Sequence, residues 1–207
     1  MARKLPLIEL THPITKELFA KIDKAVRKAG YSAAIEWSEN IQPPASAKDF
    51  AAEAIYVICN SGFANRIAVP IFERVMFALG DGKSSKKAFG HPGKTDAIDY
   101  IWKHRIRLFK GYNKAADKIE YCSTLPWIGP ITKYHLAKNF GADVAKPDVH
   151  LNRLADLEAA TAQELCERLS ALSGYRISTV DIILWRAMAD RLIQIKKDRS
   201  IKLNVGR

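Results

Sequence analysis

Leu125-Pro126-Trp127-Ile128-Gly129-Pro130 and, further along, Asp148 are the residues best suited by type and spacing to do chemistry. Pro130 predicts a helix starting near it, since a proline's missing N–H costs nothing in a first turn. The unpaired N–H groups of such a turn face outward and the aligned peptide dipoles add partial positive charge, so a phosphate can dock there. Gly129 allows close approach and a positive φ angle. Asp148, after Lys146-Pro147, opens another helix. A fixed carboxylate stabilises the positive charge that builds on a sugar as its N-glycosidic bond breaks, or helps a water attack it. A turn that grips phosphate, followed by one carboxylate, is what excision of a base from DNA requires. Each part also has a plainer reading. The turn alone is an ordinary helical hairpin, and Asp148 alone is a helix cap.

Two short amphipathic helices must position the turn. The first is predicted over Asn113 to about Ser123, with Ala116, Ile119 and Cys122 on one packing face. In the second, Leu136 and Phe140 are four apart and pack back on it.

Leu125-Pro126, Gly129 and the distance to Asp148-Val149-His150-Leu151-Asn152-Arg153 resemble the helix-hairpin-helix DNA glycosylases, with their LPxxG hairpin and D-x-H-x-x-R helix start. Tyr112-Asn113 is similar to the family's segment before the hairpin, although Ala115 stands where a lysine is expected. Pro70-Ile71-Phe72-Glu73-Arg74 sits where the family has an amphipathic helix. The resemblance implies an all-α, two-lobed fold with a cleft between lobes. Residues 46–145 would form the central lobe with the hairpin, and 1–45 with 146–207 the second. It also implies a DNA glycosylase acting on a flipped-out base in double-stranded DNA, with Asp148 as the catalytic residue. Leu125, Trp127, Ile128, Gly129, Ile131 and Thr132 would line the DNA. His150 and Arg153 would orient Asp148 or touch a phosphate, and Asn60 is the candidate wedge for the gap left by a flipped base.

Two departures refine this. Bifunctional members of the family carry a nucleophilic lysine where this chain has Ile131, and isoleucine cannot form a Schiff base, so hydrolysis by water is expected. Lys133 should face away, about 200° around the helix, while Lys138 shares the face of Ile131 about 10 Å along the axis. Either leaves room for a displaced nucleophile. Trp127 stands where glycine is common, and packs under the turn or lies along the DNA backbone. A hairpin protein that binds DNA without cutting it is the competing reading.

Composition agrees with a polyanionic partner. The chain has 207 residues, 48% of them hydrophobic, and a formal net charge of +11. Lys and Arg recur along most of the chain rather than in one tail. Cys59, Cys122 and Cys166 are far apart and odd in number, which points to reduced thiols rather than a disulfide framework. They cannot supply a four-cysteine cluster, and no spacing suggests zinc, so no cofactor or metal is expected. No apolar run reaches membrane-spanning length, and Met1–Pro6 lacks a signal peptide's apolar stretch. A cytoplasmic or nucleoid-associated monomer is expected.

The remaining segments are predicted as helices. Leu18, Ile22, Ala25 and Val26 precede a stop at Gly30. A capping box at Ser46–Asp49 starts a buried helix over Phe50–Cys59. Val69–Leu79 is helical with Pro70 in its first turn, while 83–87 and His91-Pro92-Gly93 are exposed loop. Gly93-Lys94-Thr95 imitates the end of a phosphate-binding loop, but Ala88 stands where its first glycine is required. Capping boxes at Thr161–Glu164 and Ser178–Asp181 start helices to Ser173 and to Ile195, and Gly174 ends the first. Ile41–Ser46 reads as linker, and no alternating strand pattern stands out.

Overall fold

The structure is a computed structural model that describes residues 13–204; Met1–Pro6 lies outside the described residues. Among the described residues, ten α-helices and one small hairpin follow in chain order. They are α1 (Lys16–Val26), α2 (Ser32–Asn40), α3 (Ala47–Asn60), α4 (Asn65–Gly80), α5 (Pro92–Lys114), α6 (Lys118–Ser123), α7 (Thr132–Asn139), α8 (Val149–Ala155), α9 (Ala162–Ser173) and α10 (Ile177–Ala189). Strands β1 (Ile193–Ile195) and β2 (Ile201–Leu203) pair antiparallel, Ile193 opposite Leu203. The chain is predominantly helical, as expected. The expected helix to Ile195 instead ends at Ala189, and the following residues turn into β1.

Two compact units divide the chain. One runs from Asn40 to Lys146, and the other joins the described residues before Asn40 to those from Pro147 onward. The 40–146 unit is organised by α3, whose Phe50, Ala54, Ile55, Ile58 and Cys59 are fully buried. Phe50 stacks on Phe140 with ring centroids 5.0 Å apart, and Tyr112 closes the aromatic cluster at 5.5 Å from Phe50 and 4.9 Å from Phe140. Leu125, Ile128 and Leu136 complete this core, so the predicted turn is rooted in the unit's interior.

Several boundaries depart from expectation for local reasons. Gly30 does not stop a helix: at φ 95° it kinks a π-helical segment, Arg27–Tyr31, and α2 follows directly. Pro70 falls in the second turn of α4, because the helix begins at Asn65. His91-Pro92-Gly93 is no loop. His91 caps α5 through Nδ1, which accepts the Lys94 N–H at 3.4 Å, and Pro92 takes the first helical position. The helix expected over 113–123 is two. α5 ends at Lys114, and Asp117 starts α6 by accepting the Ile119 and Glu120 N–H groups at 2.9 Å each. Ala116 is therefore exposed between them, while Cys122 is buried as expected.

In the other unit, the capping box of Thr161 and Glu164 forms and Gly174 ends α9 at φ 82°. Ser178–Asp181 is not a capping box. α10 begins at Ile177, so these residues lie within it, and Thr179 Oγ1 lies 2.9 Å from Ser38 Oγ.

Candidate functional site

The turn between α6 and α7 is held from inside and open at its rim. Leu125 and Ile128 are 2% and 6% exposed, so neither side chain can line a DNA surface; only their backbone could. Trp127 and Ile131, 43% and 40% exposed, face outward. The positive φ falls on Trp127 (68°), not on Gly129, and a bulky residue adopts that conformation only where its surroundings hold it. Its support is the start of α5. The indole meets the His91 ring edge-on, centroids 5.1 Å apart, and a β-carbon at Gly93 would lie 2.6 Å from the indole's six-membered ring. Trp127 thus packs on Gly93 while keeping an exposed edge.

Thr132 organises the backbone donors. The Gly129 N–H donates to Thr132 Oγ1 at 2.7 Å, so it is not offered outward as expected. The Lys133 N–H bonds the Gly129 carbonyl at 3.0 Å, but α7 itself begins at Thr132 with Ile131 as its N-cap, two residues later than Pro130 predicts. Ile131 and Thr132 N–H groups find no acceptor among the described residues. Two donors at a helix N-terminus remain, enough for one phosphate oxygen pair.

Lys133 turns away and pairs with Glu120 of α6, whose hydrogen bond is the main reason the ammonium's pKa is raised. Lys138 is 7% exposed and so cannot reach a surface ligand without rearrangement. Asn60 is the half-buried last residue of α3. Just beyond it, buried Lys94 donates to the Ser61 carbonyl and lies 4.6 Å from the Phe63 ring centroid. Burial lowers its pKa. This cation at the α3 C-terminus is the structural use of Lys94, so the imitation phosphate loop is accounted for.

In the second unit, Asp148 caps α8. Its Oδ1 accepts the His150 N–H at 2.9 Å and the Leu151 N–H at 3.2 Å, which fixes the carboxylate's orientation. His150 Nδ1 is buried and has no hydrogen-bond partner among the described residues. Arg153 is exposed, and no ion pair holds it among the described residues.

One group of titratable side chains escaped the reading of the sequence. On the α3 and α7 faces of the 40–146 unit, Tyr56 meets His135 with centroids 6.4 Å apart, and Asn139 Nδ2 donates to Glu53 Oε2 at 3.0 Å. Burial raises the Glu53 carboxyl and pushes the His135 imidazole down to about 3, helped by Lys146 and Lys138. Glu53 and Tyr56 stand three apart on α3, but only the packing of α7 reveals that they face His135 and Asn139. No group of His, Cys, Asp or Glu among the described residues could hold a metal ion. No helix among them is long and apolar enough to cross a membrane. Comparisons with protein-family models, with curated proteins and with solved structures found no match.

Proposed function

We propose that the protein is a monofunctional DNA glycosylase that hydrolyses the N-glycosidic bond of a flipped base in duplex DNA. Two observations support this reading, each within its own unit: an open α7 N-terminus, where Ile131 and Thr132 present unpaired N–H groups, and an oriented carboxylate at Asp148. The first suits a phosphate and the second a developing oxocarbenium ion. Ile131 supplies no amine, and Lys133 is paired to Glu120, so water is the nucleophile. The enzyme acts as a monomer on double-stranded DNA, and uses no metal.

Duplexes each carrying one modified or mismatched base test the reading. Purified protein is expected to release free base from at least one of them and leave an alkali-labile abasic site. Asp148→Asn is expected to bind that duplex and release nothing. Undiminished release by Asp148→Asn would assign the chemistry elsewhere, and binding without release across the whole panel would leave a DNA-binding hairpin protein.

A further inference from the structure

The cations that recur along this sequence are not evenly used by the fold. Some pair with a carboxylate close in space: Arg27 with Asp23, Lys83 with Asp81, Lys86 with Asp96, Lys133 with Glu120, Arg168 with Glu158. α5 is different. Between Asp99 and Asp117 the chain contains no Asp or Glu, yet Lys103, Arg107, Lys110 and Lys114 follow at steps of three and four, which put them on one helix face. All four are exposed, and none has a carboxylate partner among the described residues. Arg107 instead donates to the Tyr100 hydroxyl at 2.8 Å, which holds the guanidinium along the stripe.

We propose that this face of α5 is a second phosphate-binding surface, which holds the backbone of duplex DNA beside the hairpin. The proposal rests on the DNA reading given above. Like charges at helical spacing repel one another and do nothing for folding, so an external polyanion is the partner that such a stripe fits. The opposite face of α5 is already committed, with Ala97, Ile98, Ile101 and Tyr112 in the core. That leaves Ile106 without the broad apolar face a membrane-surface helix needs, which favours nucleic acid over a lipid bilayer.

The stripe is also continuous with the hairpin. Tyr121 of α6 donates its hydroxyl to the Leu108 carbonyl at 2.8 Å, and a β-carbon at Gly111 would lie 2.4 Å from that hydroxyl. Burial raises the Tyr121 phenol, and Arg107 is close enough to pull against that rise. At the other end of α5, Gly93 carries Trp127. The helix therefore lies along the hairpin, and Lys103 to Lys114 covers about 16 Å of axis, room for several backbone phosphates.

The test uses the full chain with Lys103→Ala, Arg107→Ala and Lys110→Ala combined. These are exposed positions where alanine favours the helix, and the far-UV spectrum and urea midpoint check that the variant folds. Binding of an undamaged fluorescent duplex is measured over a salt series. The variant is expected to bind at least about tenfold more weakly at low salt. Its slope of log K against log salt should be shallower by about 2.7, or about 0.9 for each of three phosphates lost. An unchanged slope and affinity overturns this proposal and leaves the hairpin reading standing. No duplex binding by the unmodified protein overturns both. Sedimentation of the unmodified protein with phosphatidylserine–phosphatidylcholine vesicles, without duplex binding, assigns the stripe to a membrane and also overturns it.

Discussion

The Trp127 indole lies so close to Gly93 that a β-carbon there would come within 2.6 Å of the ring. This contact joins the turn to the first turn of α5 and holds Trp127 at φ 68°. In an ordinary helix, glycine to alanine stabilises by about 1 kcal/mol. Here Gly93→Ala is expected to destabilise by about 1–3 kcal/mol, because the indole must leave its seat. Urea unfolding measures this, and tryptophan emission should shift to the red as the ring becomes wetter. A more stable Gly93→Ala protein would show that the contact does not exist in solution.

Asp148 serves its helix and, in the proposed function, the reaction, and two substitutions separate these roles. Asparagine caps about as well as aspartate, whereas alanine costs about 1 kcal/mol. Asp148→Asn is therefore expected to keep its urea midpoint and Asp148→Ala to lose stability, while both lose base release. Release that follows stability across the two variants, rather than vanishing in both, would reduce Asp148 to a cap.

With Ile131 at the turn, Lys133 paired to Glu120 and Lys138 buried, borohydride is expected to trap no enzyme–DNA adduct during turnover. Strands should break only after alkali or heat. An adduct that disappears in Lys138→Ala would make the enzyme bifunctional and name its amine.

Gly129 needs no glycine for the turn itself. An added β-carbon would meet only Thr132 Oγ1, at 3.9 Å. Gly129→Ala is expected to leave the urea midpoint unchanged and to weaken duplex binding several-fold, through obstruction of the Ile131 and Thr132 N–H groups. An equal loss of stability and binding would mean that the residue serves folding alone.

His135 makes stability depend on pH. Its folded-state pKa, near 3, lies below the ordinary value of about 6.5, so the neutral ring is the one the fold accepts. As pH falls below about 6.5 the unfolded chain takes up a proton that the folded chain refuses, and stability declines toward pH 3. The ring is only partly enclosed, so the loss is on the order of 1–2 kcal/mol. Glu53, raised by burial, acts in the opposite direction. His135→Gln should flatten the decline between pH 6.5 and 4 in urea titrations; an unaltered decline would place its origin in other groups.

Much of the site was legible because its signals are local. Leu125 and Ile128 around a proline, with Gly129-Pro130 leading into a helix, require nothing beyond a few residues of context. The caps at Ser46, Asp148 and Thr161 were legible for the same reason: each side chain bonds an N–H two or three residues on. Where a local signal admitted two outcomes, packing decided between them. Ser178–Asp181 has capping-box spacing, but the burial of Ser178 and Asp181 moved the helix start to Ile177. Pro92 after His91 could as well begin a helix as a loop, and the apolar face of Ala97, Ile98 and Ile101 decided for the 23-residue α5.

The sequence by itself determined the helical character, the excess of positive charge, the position of the turn and the cap at Asp148. These depend on backbone donors, fixed φ angles and side chains within a few residues, where loop closure costs little. Tertiary structure alone decided that Trp127 would take the left-handed conformation, that Lys94 would cap α3 at Ser61, and that the face of Lys103, Arg107 and Lys110 would stay exposed. It also set the titration of His135. Each of these depends on which distant helix excludes water from a given side chain, and that is settled only when the apolar faces of α3, α5 and α7 are buried together.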